Sequence, residues 1–246
     1  MSAPDGAEAA AATDVRRAEL AANLERVERR IAGACADAGR LRDEVTLVVV
    51  TKFFPASDVR LLHGLGIRHV GENRHQEAAS KSQECRDVDL TWHFIGGLQS
   101  NKAAAVGAWA DVVQSVDRPR LLGGLSRAAH ERDRVLDILV QVSLDERQAP
   151  GGRSGAAPDA VLPLATEVLA APGLRLRGVM GVAPLGREPG AAFHLLAEVS
   201  AEVRSVAADA GWISAGMSGD LEQAVACGAT HVRVGTAVLG NRPAHG

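Results

Sequence analysis

The sequence predicts one (β/α)8 barrel of the TIM type, an α/β fold whose parallel sheet closes on itself. Three observations lead there. Apolar, strand-like runs alternate with helical patterns from Val45 to the end of the chain, and such alternation implies parallel strands joined by crossover helices. Eight βα units can be counted, enough to close a barrel, whereas an open doubly wound sheet would need fewer units or a reversal of strand order. The 246 residues also suit a single barrel domain.

Residues 1–12 lack a basic start and an apolar core, so they read as a disordered tail and not as a signal peptide, leaving 13–246 for the barrel. Thr13 or Asp14 can cap a first helix, in which Leu20, Leu24, Val27 and Ile31 form one stripe before Gly39. This helix precedes the first strand and is therefore an addition to the barrel. Strand one is Val45 to Val50, and Pro55 opens the helix after it. Arg68–Gly71 is strand two, followed by a polar helix from Glu72 to about Cys85. Thr91–Ile95 and Val112–Val116 are strands three and four, each with a helix behind it. Val135–Val142 leads into a loop, Leu144–Ala157, whose Gly and Pro content leaves its conformation open. Leu174–Met180, Trp212–Ser214 and His231–Val234 complete the eight strands, with no length over for a second β domain.

Composition narrows the function. The formal net charge of −3 offers no electrostatic case for nucleic acid or an anionic membrane. No apolar stretch approaches the ~18 residues of a membrane span. Cys35, Cys85 and Cys227 form no CxxC pair, so they read as reduced thiols of a cytoplasmic protein, and no metal site is indicated.

The basic residues are more informative: 24 arginines against three lysines, Lys52, Lys81 and Lys102. Lys52 follows the apolar run of strand one. Burial disfavours an ammonium, and a neutral lysine amine can form a Schiff base, chemistry closed to arginine. The competing reading is a lysine that caps the strand and reaches back to water. Lys81 lies four residues after Glu77 on a polar helix and reads as a solvated pair. Lys102 reads as solvated too, and His93 as a hydrogen-bonded structural histidine. Glu72 suits either a general base or a partner for a rim arginine.

Barrel enzymes carry their chemistry at the C-terminal ends of the strands and bind phosphate after strands seven and eight. That rule collects Lys52, Gly71-Glu72-Asn73, His93 to Gly97, Ser214 to Gly219 and Arg233 to Thr236. In the last two segments glycines allow close approach and hydroxyls can donate. Arg233 would sit beside strand one, facing the Lys52 amine or else paired with an acid such as Asp220.

The stretches Val48–Val59, His69–Lys81, Trp92–Lys102, Gly178–Pro184 and Ser214–Arg242 resemble the pyridoxal phosphate homeostasis protein family, the YggS-like or PROSC proteins. The resemblance runs from the first helix to the last turn. It implies a barrel like that of fold-type III pyridoxal phosphate enzymes, without their second β domain. It implies pyridoxal 5'-phosphate as cofactor, held as an imine on Lys52. By position, Arg233 would face the pyridine nitrogen and Asn73 would lie beside the ring. Ser218, Gly235 and Thr236 would hold the phosphate, with the Met217 backbone nearby. The chain departs from the family pattern at Phe53-Phe54 and at Arg74-His75. The implied role is intracellular cofactor homeostasis by a monomer, with transient delivery to apo-enzymes and no catalytic residue. The alternatives are an amino-acid racemase or decarboxylase using the same cofactor, and a Schiff-base aldolase acting on a sugar phosphate.

Overall fold

The computed structural model describes residues 6–145 and 154–241. Its eight strands close in sequence order, every neighbouring pair parallel. They are β1 (Thr46–Val50), β2 (His69–Glu72), β3 (Thr91–Phe94), β4 (Val112–Val116), β5 (Leu136–Gln141), β6 (Leu174–Met180), β7 (Trp212–Ser214) and β8 (His231–Val234). The helices are α1 (Gly6–Asp37), α2 (Ala56–Gly64), α3 (His75–Glu84), α4 (Ala103–Gly107), α5 (Leu122–Glu131), α6 (Pro158–Ala170), α7 (Gly190–Val206), α8 (Leu221–Ala226) and α9 (Thr236–Leu239). No helix of the described residues is long and apolar enough to cross a membrane.

The first helix is longer than its sequence signals suggest. The run of alanines after Gly6 continues it, as the residue of highest helix propensity would. Thr13 is therefore no cap: its hydroxyl donates to the Ala9 carbonyl, 2.9 Å away inside the helix. Of the segment read as a tail, residues 6–12 are helical and 1–5 lie outside the described residues. The stripe of Leu20, Leu24, Val27 and Ile31 is buried as expected. It fastens the last helix to the barrel, with the Asn23 amide donating to the Val238 carbonyl at 2.8 Å and Arg16 paired to Asp58 at 2.7 Å. Much of the Leu144–Ala157 loop also lies outside the described residues.

Between sheet and helices runs one large apolar core, in which Val49, Val70, Val113 and Val232 of the strands meet Leu62, Leu125, Val168 and Leu196 of the helices. The barrel interior is different. Its apolar part includes a small cluster of Val112, Leu139 and Met180. Beside it runs a hydrogen-bonded column. Arg233 donates to Ser214 Oγ at 2.6 Å, and Ser214 donates to Gln114 Oε1 at 2.7 Å. Gln114 Nε2 lies 2.8 Å from His93 Nδ1, and His93 Nε2 lies 3.0 Å from His69 Nδ1. A guanidinium only donates, so each later link has one consistent direction. The Gln114 amide faces a bare His93 Nδ1, and the neutral His93 ring carries its proton on Nε2.

Burial agrees with that neutrality. It pushes His93 well below the usual histidine value, lowers His69, and brings His231 down to about 3. A histidine depressed in the folded state favours folding above its unfolded pKa, because below it only the unfolded chain takes up the proton. Folding stability should therefore decline as pH falls from about 6.5 towards about 3. Urea midpoints measured between pH 7.5 and 4 test this, and His231→Gln should flatten the decline. An equal slope in the variant would place the acid sensitivity elsewhere.

Candidate functional site

The mouth of the barrel is organised by where β1 ends. Thr51 N–H donates to the Gly71 carbonyl at 3.0 Å, and the chain then turns through Lys52 and Phe53. A Cβ on Gly71 would lie 3.2 Å from Val48, 3.4 Å from Ile95 and 3.6 Å from Val50, so these residues face inward. Lys52 and Asn73 follow closely on the ends of β1 and β2. Lys52 is half-buried at the rim, not sealed below it, with Nζ 6.0 Å from the Phe53 ring centroid. Phe53 has φ +70°, a left-handed conformation that a bulky residue holds only when its surroundings impose it.

What imposes it is Lys81. Its ammonium donates to the Thr51 carbonyl at 2.9 Å, to Glu72 Oε1 at 2.6 Å and to Glu77 Oε1 at 3.0 Å. Thr51 Oγ1 also donates to Glu72 Oε1, at 2.6 Å, and Phe53 N–H to Glu77 Oε1, at 2.6 Å. Both peptide groups that flank Lys52 are thereby held. This overturns the reading of Lys81 as a solvated pair: it is 4% exposed and Glu72 is wholly buried. The sequence did carry a signal, since Ala78, Lys81 and Cys85, spaced by three and four, are one buried face. Glu72 closes β2 and does not open the helix. Burial raises its pKa and the Lys81 charge opposes that rise.

On the other side of Lys52, β8 lies against β1 with Val48 opposite Arg233. Arg233 is 4% exposed, its guanidinium bonded to Ser214 and, at 2.8 Å, to the Gly181 carbonyl. Asp220 does not serve it. The Asp220 carboxylate instead accepts from Met217 N–H at 2.6 Å, so the Met217 amide, expected near the phosphate, is already engaged. Gly216, at φ +88°, makes the turn, where a Cβ would come within 2.7 Å of Ala224. Gly235 lies against Val50, a Cβ there being 3.3 Å from the Val50 carbonyl oxygen. The turns carrying Ser218 and Thr236 follow adjacent strands, and Arg30 anchors the first by donating to the Ser218 carbonyl at 2.9 Å. Asn73 Oδ1 is buried without a partner. An amine, a fixed guanidinium, an unpartnered amide oxygen and two hydroxyl-bearing turns thus lie on, or just beyond, four neighbouring strands, β7, β8, β1 and β2. That donor set fits a phosphorylated aromatic aldehyde. Among the described residues no group of three or more His, Cys, Asp or Glu could hold a metal ion.

The chain matches the family model described as alanine racemase, N-terminal domain, over residues 15–243. It is 42% identical over 243 residues to the pyridoxal phosphate homeostasis protein of Mycobacterium tuberculosis, covering 92% of this chain and 94% of that protein. The chain belongs to the pyridoxal phosphate homeostasis protein family. PipY of Synechococcus elongatus, solved with PLP bound, is 36% identical with a TM-score of 0.73, over 85% of this chain and all of that one. Alanine racemase from Corynebacterium glutamicum shares the fold alone, at 15% identity and TM-score 0.66. That match covers 94% of this chain and 62% of the racemase.

The family's shared motifs did not reveal the clamp under Lys52 or the column behind Arg233. Lys81→Met removes the ammonium and leaves Glu72 buried and unpaired. At pH 7 it should cost about 3–5 kcal/mol of folding stability. Adding Glu72→Gln should restore part of the loss. Urea unfolding of both variants measures this, and a single variant within about 1 kcal/mol of wild type would show that the clamp is dispensable.

Proposed function

We propose that this protein binds pyridoxal 5'-phosphate through Lys52 and serves cofactor homeostasis inside the cell as a monomer, passing the cofactor to apo-enzymes without turning over a substrate of its own. The observation that supports this reading is the strand order: β1, which leads into Lys52, is paired on one side with β2, which leads into Asn73, and on the other with β8, which carries Arg233 and leads into Gly235 and Thr236. The names of its relatives support it. Bound as a Schiff base, the cofactor supplies an electron sink for an attached amino acid.

The chain's residues would hold that group and restrain its chemistry. Ser218 and Thr236 offer hydroxyl donors to the phosphate, and Gly235 lets the backbone approach. Arg233 is a permanent cation that only donates, so a ring nitrogen facing it accepts a hydrogen bond and stays unprotonated. That weakens the sink. Because Ser214 and the Gly181 carbonyl hold the guanidinium, it cannot turn away to admit a proton. The half-buried mouth also leaves Lys52 open to exchange with incoming amines, as a carrier requires.

The racemase alternative finds less support. Racemisation needs an acid or base on each face of the cofactor, and Lys52 provides one. The chain contains no tyrosine to take the other face. The racemase fold neighbour has more than a third of its length outside the matched barrel.

Borohydride reduction of the protein loaded with pyridoxal 5'-phosphate, followed by peptide mass mapping, should place the label on Lys52, and Lys52→Ala should carry none. A label on Lys81 or Lys102 that survives in Lys52→Ala would overturn the assignment. With alanine, serine, lysine or ornithine in deuterium oxide, the loaded protein should show no rapid deuterium uptake at the α-carbon. Fast uptake that disappears in Lys52→Ala would establish turnover.

A further inference from the structure

A cleft of about 540 Å3 opens beside the barrel mouth, between the start of α3 and the turn that leads into α4. Lys52 does not line it. The dividing wall is the contact of Asn73 with Gly96, so close that a Cβ on Gly96 would lie 2.8 Å from the Asn73 Cα. The floor of the cleft is apolar, made by the buried side chains of Phe94, Leu98 and Val106. Its rim is cationic, with Arg74 on one side and Lys102 on the other. Both are exposed, and neither has a carboxylate within ion-pair distance among the described residues. The one acid lining the cleft among the described residues, Glu77, is committed to Lys81 and the Phe53 N–H.

Further donors converge there. Trp109 Nε1 donates to His75 Nδ1 at 3.1 Å, which leaves the proton of the neutral ring on His75 Nε2. The Lys102 charge is near enough to lower the His75 pKa, second to burial. No side chain caps α3, whose first turn borders the same space. The Arg74 guanidinium of the cleft and Lys52 Nζ both approach the Phe53 ring, at 5.1 Å and 6.0 Å from its centroid. In a chain of 24 arginines, all three lysines fall in this sector of the barrel. Lys52 stands at the mouth, Lys81 beneath it and Lys102 in the cleft.

We propose that this cleft is a second, non-covalent seat for a phosphate monoester of a small aromatic ring, the chemical class of the cofactor itself. Arg74 and Lys102 take the phosphate dianion, and Phe94, Leu98 and Val106 take the ring. The volume lies within the ~300–1,000 Å3 range of small-molecule sites and exceeds what inorganic phosphate alone would fill. The choice of ring rests on the reading of Lys52 as the cofactor lysine; the phosphate seat does not. A seat one wall away from Lys52 would let a second cofactor molecule wait beside the first.

The test blocks the mouth first. Protein loaded with pyridoxal 5'-phosphate is reduced with borohydride, then titrated by equilibrium dialysis with pyridoxine 5'-phosphate, which has the ring and phosphate but no aldehyde. One further equivalent should bind. Arg74→Ala with Lys102→Ala should raise its dissociation constant about tenfold, equivalent to about 1.4 kcal/mol, and added salt should weaken it in wild type. Both side chains are exposed, so an unchanged thermal midpoint is expected and checks that the double variant is folded. Pyridoxine without phosphate should not bind, and inorganic phosphate should compete but more weakly than the ester. Absence of a further equivalent, or equal affinity in the folded double variant, would overturn the seat. Equal affinity for inorganic phosphate would overturn the ring and leave an anion site. If Lys52 takes no label, the cofactor reading fails at that first step, and the same titration on unlabelled protein still decides the cleft.

Discussion

Pairing of β8 with β1, in the register Thr46 with His231 through Val49 with Val234, brings the first and last strands to one place. Without it Arg233 would not lie opposite Val48, and Gly235 would not pack on Val50. The amine and the guanidinium of the candidate site come from strands that meet only when the barrel is shut. Closure also leaves no sheet edge, so the cost of ordering so many non-local pairs is offset by a ladder without exposed strands. α1 covers this seam, through Asn23 on Val238 and Arg30 on the Ser218 turn.

A closed barrel must fill its interior, and this one does so largely with hydrogen bonds. A buried polar group without a partner costs about 1–3 kcal/mol, so the column from Arg233 to His69 has to be satisfied at each step. Its direction is set at one end by a donor that never loses its proton. Protonating His93 would turn Nδ1 into a donor facing the Gln114 amide, which would break the column. Burial and geometry therefore keep the same ring neutral for two separate reasons. The orientation of Arg233 is fixed from behind, independently of whatever lies in the mouth.

The lysines divide the work according to their surroundings. Lys81 is buried and surrounded by a carbonyl and two carboxylates, and it pins the turn. Lys52 has no such cage among the described residues and is half-buried. Arginine would suit neither, because the Lys81 site takes a compact ammonium with three divergent donors and the role proposed for Lys52 takes an amine. Phe53, held at positive φ by the peptide clamp, has both Lys52 and Arg74 near its ring.

The eight strands, the crossover helices and the positions of Lys52, Asn73, Gly235 and Thr236 just beyond the ends of β1, β2 and β8 were legible in the sequence. Apolar periodicity and turn residues are local signals, and the barrel rule converts strand ends into a list of mouth residues. The α1 stripe was legible for the same reason, although its start was not, because alanines extend a helix without a cap. What a side chain meets across the fold could not be read this way. Lys81 and Glu77 look like a solvent-facing pair on their helix, and only packing of α3 against β2 turns that face inward and buries it. Met217 likewise carries a motif position, yet its amide is taken by Asp220, three residues on, in a turn whose hydrogen bonds the motif does not specify. Local structure follows from neighbours in the chain; burial, and with it charge state and partner, follows from neighbours in space.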